Sequence, residues 1–409
     1  MWSRGTLVAG LLLLSPIAFA AELPPVEPMP TLAAATLAPA ALLDGAGYTV
    51  DADVPVVGYM GQFTLRAPAG TFAANGTEML RIRVGELAAI AQLSQMSQSG
   101  VFADALAASA AKTGAALSQA VMNPVETLIG IPSGIGRFFQ SASTTIERAT
   151  ETPQGPNSAQ SVTDTTDQVL GINQAKRRIA KQVGADPYTT NPVLAKQLDD
   201  LARAAFAGGV SLDVALAVST AGVATAISTT ARVSDLVWSR SPQDIRTLHE
   251  QKLAALGVDP ETIRAFVTNR WLTPTLSVPI VEALEGLPDA KGRPAVVALA
   301  GGVASEGEAR FIATALGTAR RAGNDRDPVI ALDLDGRILV TRTRDGRVAV
   351  PAPVDYVVWT QPVRAFAERT ERAGRQAGER HVLVTGIASA RARDGLGSAG
   401  WRVTERSAP

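Results

Sequence analysis

Side chains gathered in recognisable catalytic patterns are few in this chain. Cysteine is absent, which removes thiolate nucleophiles, thiolate metal sites, disulfides and the lipidated cysteine of a bacterial lipoprotein. The two histidines, His249 and His381, fall in different blocks with no ligand-spaced partner nearby, and each reads as a surface or strand-end residue. No H-E-x-x-H or G-x-S-x-G pattern occurs. Asp333 and Asp335 close an apolar run ahead of Gly336, the pattern of a strand that ends in an Asp-Gly turn. Ser305 and Glu308 follow Ala300-Gly301-Gly302, a place where a strand-to-helix junction would receive an anion, but a capping box alone explains both residues. Gly395, Gly397 and Gly400 spell the dinucleotide fingerprint; the chain then enters its last strand rather than a long helix, so the match is read as chance. No catalytic residue, cofactor or metal is predicted.

The segment Val329-Ile330-Ala331-Leu332-Asp333-Leu334-Asp335-Gly336, with Val382-Leu383-Val384-Thr385-Gly386 further on, resembles the first two motifs of haloacid-dehalogenase-like phosphotransferases. The resemblance implies Asp333 as nucleophile, Asp335 as proton carrier and Thr385 as a phosphate holder. Arg337 stands where that family has threonine, no lysine follows Lys291, and the 23 residues after Gly386 leave no room for a downstream acidic pair. A phosphoryl transition state would lack its counter-charge and metal. The segment is read instead as a strand ending in an Asp-Gly turn.

The 409 residues are 46% apolar and carry 38 basic against 38 acidic side chains, enough for one large core or several smaller ones and without the basic surface a nucleic-acid binder needs. Arg4, an apolar run over 5–17 and Ala18-Phe19-Ala20 form the pattern of a cleaved signal peptide, with the mature chain starting at Ala21. That run is shorter than the ~20 residues needed to cross a bilayer. Residues 171–202, above all Lys176-Arg177-Arg178 leading to Gly184-Ala185-Asp186-Pro187-Tyr188 and Thr189-Thr190-Asn191-Pro192, are similar to a family of uncharacterised exported proteobacterial proteins. The resemblance implies export and points to no particular activity. The expected address is the periplasm, with secretion second.

The elements that must position these residues follow from periodicity and punctuation. The predicted fold class is α+β: a helical middle between a small N-terminal β element and a C-terminal α/β domain. The divisions are a signal peptide (1–20), a proline- and alanine-rich tether with little to pack (21–45), a β plus helix module (46–149), a linker (150–168), a helical domain (169–290) and the α/β domain (291–409). Within the module, Phe63 and Leu65 alternate with Thr64 and Arg66, and Thr77 is the expected N-cap of a helix over 78–95. Gly184-Ala185-Asp186-Pro187 and Gly257-Val258-Asp259-Pro260 each read as a helix end, a cap and a helix start. Ser241-Pro242-Gln243-Asp244 reads as another start. Residues 296–300 read as a buried strand, 329–350 as a meander, and Lys176, Arg177, Arg178 and Lys181 as a solvated basic face. Residues 204–231 carry one charge, Asp213, and read as a buried helix pair rather than an inserting hairpin.

An apolar helical face at Val125, Leu128, Ile129, Ile135, Phe138 and Phe139 is the expected contact surface. The functional expectation is an exported, non-enzymatic scaffold or interaction protein whose partner is an envelope protein or the membrane surface. The alternatives are insertion of 204–231 as a membrane-active hairpin, or hydrolysis of a phosphate ester in the C-terminal domain.

Overall fold

The computed structural model describes residues 23–98, 166–208, 235–373 and 378–407. The contact face expected at Val125, Leu128, Ile129, Ile135, Phe138 and Phe139, and all but the first residues of 204–231, lie outside the described residues. The protein is an α+β structure built around two large apolar clusters.

The first cluster belongs to an antiparallel N-terminal sheet and the helices on it. Its strands are β1 (Thr31–Ala33), β2 (Asp44–Gly45), β3 (Tyr48–Val50), β4 (Asp53–Val57), β5 (Met60–Ala67) and β6 (Gly70–Asn75). The alternation expected around Phe63 and Leu65 holds, both being buried. β5 is the spine: β4 and β3 pair in tandem along one edge and β6 along the other. Gly58 and Tyr59 both take positive φ in the two-residue turn from β4 to β5, as a type I′ turn requires.

The segment expected as a tether is part of this unit. β1 pairs with β4, and Ala34, Ala38 and Leu42 are buried in the helix α1 (Ala34–Leu37) and the turn after it. Further back, Glu27 N–H donates to Trp359 C=O (2.9 Å), Trp359 Nε1–H donates to Pro24 C=O (2.8 Å), and Ser389 donates to the Glu27 carboxylate. Prolines give the stretch an extended backbone, but their missing N–H groups do not stop its carbonyls and alanines from finding partners.

α2 (Thr77–Gln98) covers the sheet, and α3 (Thr166–Gln182) and α4 (Pro192–Gly208) pack beside it. Thr77 is the first helical residue rather than its cap; its N–H is taken by the Asp355 carboxylate. Gly184 ends α3 at φ +66° as expected, but no helix starts at Pro187. Asp186 accepts Tyr188 N–H and the Thr275 hydroxyl, and Asn191 instead receives the first N–H groups of α4. The basic cluster is not a solvated face throughout: Arg177 is buried, while Lys176 and Lys181 pair with Asp199 and Asp235.

The second cluster joins the helical middle to the C-terminal α/β part in one core. α5 (Asp235–Ser239) is followed by α6 (Pro242–Ala255), α7 (Pro260–Thr268) and α8 (Pro274–Glu285). Ser241 with Asp244 and Asp259 cap α6 and α7 as read from the sequence. Residues 296–300 are not a strand but the body of α9 (Arg293–Gly301). Pro294 opens that helix, and Val296, Val297 and Ala300 bury one face at helical spacing, which outweighs the β preference of two valines. Gly292, at φ +88° and with Leu332 C=O 2.0 Å from where a Cβ would sit, fixes glycine at its start.

Next comes α10 (Glu306–Ala322), then the meander β7 (Val329–Asp335), β8 (Ile338–Thr343) and β9 (Val348–Ala352). β10 (Tyr356–Val357), α11 (Gln361–Ala373), β11 (Arg380–Val384), β12 (Ile387–Ala388), α12 (Ala390–Ser398) and β13 (Arg402–Thr404) complete the chain. The sheet order is β13-β11-β9-β8-β7, with β11 parallel to both neighbours, and β10 pairs with β12 apart from it.

Candidate functional site

The sites weighed from sequence do not converge. Asp333 is exposed and pairs with Arg342 (3.3 Å), whereas Asp335 pairs with Arg369 (2.9 Å). The Thr385 hydroxyl donates to Val354 C=O (3.1 Å). Ser305 accepts Glu308 N–H and so caps α10, but the Glu308 carboxylate takes Ala304 N–H rather than closing a capping box on Ser305. Gly395, Gly397 and Gly400 lie in and just after the short helix α12, without the strand-to-helix setting that pyrophosphate needs. Among the described residues no three His, Cys, Asp or Glu side chains are grouped to hold a metal ion. His381 lies beside Glu379 (3.3 Å) in β11. His249 is not at the surface: it is 3% exposed, its ring edge-on to Phe266 (6.0 Å between centroids), and burial with Lys252 nearby lowers its pKa to about 4.

What the fold does build is a cleft of about 330 Å³ where the two cores meet. One wall is β6 and α2, with Phe72 and Met79; the other is α10 with Phe311, Trp271 ahead of α8, and Pro353. Most of the lining surface is apolar, although about half of the lining residues are polar or charged, and apolar walls with placed polar groups are the composition of small-ligand and peptide sites. Trp271 is steadied by the Arg270 guanidinium, 4.7 Å from its ring centroid.

The polar side of the cleft is a continuous chain of charge-assisted hydrogen bonds. On α2, Met79, Arg83, Glu86, Ile90 and Leu93 recur at spacings of four and three and form one buried stripe. Arg83 Nη1 donates to Glu86 Oε2 (2.8 Å), and the same carboxylate group receives Asn191 Nδ2 (2.9 Å) and the Thr189 hydroxyl. Arg83 Nη2 donates to Thr190 Oγ1 (2.7 Å), which donates to Glu306 Oε2 (2.6 Å). Arg310 Nη2 donates to Glu306 Oε1 (2.7 Å), and Arg310 Nη1 lies 3.6 Å from Glu78 Oε1. Burial pushes the Glu306 carboxyl up, but Arg310, Thr190 and Arg83 outweigh it and hold its pKa below the usual range. Two guanidiniums and two carboxylates thus line the cleft, every one of them in contact with an opposite charge.

Asp355 ties the two cores together beside the cleft. Its carboxylate, 6% exposed as a residue, accepts Gly61 N–H (2.8 Å) and Thr77 N–H (3.0 Å), fastening both the β5 start and the α2 N-terminus to the second core. Burial raises its pKa against those hydrogen bonds. The Tyr59 carbonyl accepts Asp355 N–H and Tyr356 N–H (3.1 Å each) from the other side.

No family model, curated protein or solved structure matches the chain. The cleft therefore stands on its geometry alone. Its residues come from segments up to some 290 positions apart, which is why sequence reading missed the cleft as a whole; of the candidate site residues read from the sequence, Ser305 alone lines it. The one signal available was Arg83 and Glu86 interrupting the apolar stripe of α2.

Proposed function

We propose that the protein is an exported, non-catalytic interaction protein that holds its ligand in the cleft between α2, β6 and α10. The observation that carries the reading is the combination of an open apolar cavity with charged groups that are already matched to one another. Preformed polar groups beside apolar walls serve binding and orientation. The scattering of Asp333, Asp335, Thr385, His249 and His381 speaks for binding over hydrolysis. Residues 1–20 supply the reason to place the protein outside the cytoplasm, and the protein recovered from the periplasmic fraction is expected to begin at Ala21 by N-terminal sequencing. Among the described residues no helix is long and apolar enough to cross a membrane.

Gly307 provides the test. It lines the cleft near the start of α10, and a Cβ added there would meet Ser305 Oγ at 3.8 Å and Asn75 Nδ2 at 3.9 Å, ordinary contact distances. A leucine at this helical position therefore enters the cleft without straining the backbone. The low-mass fraction of an envelope extract is expected to raise the melting temperature of the wild-type protein and leave that of Gly307→Leu unmoved, with the two proteins equally stable when alone. Equal shifts in both proteins, or none in either, would count against the cleft.

A further inference from the structure

The cleft leaves one kind of hydrogen bonding unused, that of the β6 main chain. Gly76 N–H donates to Gly61 C=O, and the β5–β6 register makes 63 with 74, 65 with 72 and 67 with 70 the remaining hydrogen-bonded pairs. The N–H and C=O groups of Thr71, Ala73 and Asn75 therefore point away from β5. Among the described residues β6 pairs with no other strand, and no backbone hydrogen bond reaches these three from the open side. The cavity touches Thr71, Phe72 and Ala73 in succession. Consecutive residues face opposite sides of a sheet, so a cavity that meets all three approaches the strand along its edge.

We propose that the cleft receives an extended, uncharged peptide segment of a partner protein, which adds to the open edge of β6 as a further strand and lays apolar side chains against Phe72, Trp271 and Phe311. The proposal rests on the cleft-binding reading above and names its ligand. Charge decides the chemistry of the segment: the lining guanidiniums and carboxylates already face each other, so a buried ligand charge would stay uncompensated and costly. Main-chain amides supply what the edge lacks, and alternate apolar side chains supply what the walls accept. A short open edge beside an apolar cavity is otherwise a liability that folded proteins cover.

The test uses the purified protein and a blocked peptide, N-acetyl-Val-Leu-Val-Leu-amide, followed by Trp fluorescence and calorimetry. Two further peptides carry N-methyl groups on the odd or on the even amides. A strand paired to β6 uses only one of these sets, so one methylated peptide is expected to bind roughly tenfold or more weakly and the other close to the parent. Ala73→Pro removes a single outward N–H, a change that edge strands tolerate, and is expected to weaken the parent peptide by a similar factor. A version with aspartate at one leucine is expected to bind more weakly than the parent. Equal binding of both methylated peptides, or unaltered binding by an Ala73→Pro protein of unchanged melting temperature, would overturn strand addition. If no peptide binds while the envelope fraction still stabilises wild type and not Gly307→Leu, the peptide assignment falls and the cleft remains.

Discussion

Replacing Asp355 by alanine is expected to lower the unfolding free energy by roughly 2–5 kcal/mol, since it strands one buried N–H at Gly61 and removes the cap of α2 at Thr77. Thermal or urea unfolding measures the loss. Asp355→Asn keeps an acceptor oxygen of the same shape and is expected to recover much of it. The effect reaches the cleft because Glu78, Met79 and Arg83 sit on the helix that loses its anchor. The pH dependence carries a recognisable sign. Burial raises the Asp355 pKa, so the folded protein binds a proton more readily than the unfolded chain there, and this group's contribution falls as pH rises from about 4 through the raised value. The alanine variant is therefore expected to trail the wild type by more at acid pH than at neutral pH. A difference that shrinks on acidification would contradict the assignment.

His249 gives the second large effect. Its pKa of about 4 lies below the ordinary 6.5, chiefly because burial disfavours the imidazolium, with Lys252 adding to the shift and Glu285 opposing it. Between those two values the unfolded chain takes up a proton that the folded protein refuses. Stability is therefore expected to fall as pH drops through this window, by up to about 3 kcal/mol at ~1.4 kcal/mol per pH unit. His249→Phe preserves the aromatic contact with Phe266 and is expected to remove most of that slope. Glu306, Asp327 and Glu405, all held below the usual carboxylate range, give stability that is lost only at lower pH, below about 4, so the two contributions separate in a pH series of denaturation curves. An unchanged slope in the phenylalanine variant would contradict the role of His249.

Local chemistry was legible where the backbone itself solves a problem nearby. Ser241 with Asp244, Asp259 and Ser305 stop unsatisfied N–H groups within four residues of themselves, and the β7–β9 meander follows from alternation and Asp-Gly turns. Reading failed where the partner lies far away. Asp186 looks like a helix cap and serves Thr275 instead, and Trp359 draws the proline-rich start of the chain into contact through its indole N–H. Valines in 296–300 suggested a strand because β-branching was visible while the helical contacts of α9 with the second core were not. The α2 stripe is the instructive case: Arg83 and Glu86 break an apolar face at a place where only a buried polar partner makes them tolerable, which marks a polar seam without naming Thr189, Thr190, Asn191 or Glu306.

On the proposed function, the cleft between α2, β6 and α10 is occupied when the protein works. Native mass spectrometry of the protein isolated gently from its own cells tests that most directly. A non-covalent adduct is expected on the wild-type chain and is expected to be absent from Gly307→Leu isolated in the same way. An adduct of identical mass and abundance on both proteins, or bare chains in both, would contradict it.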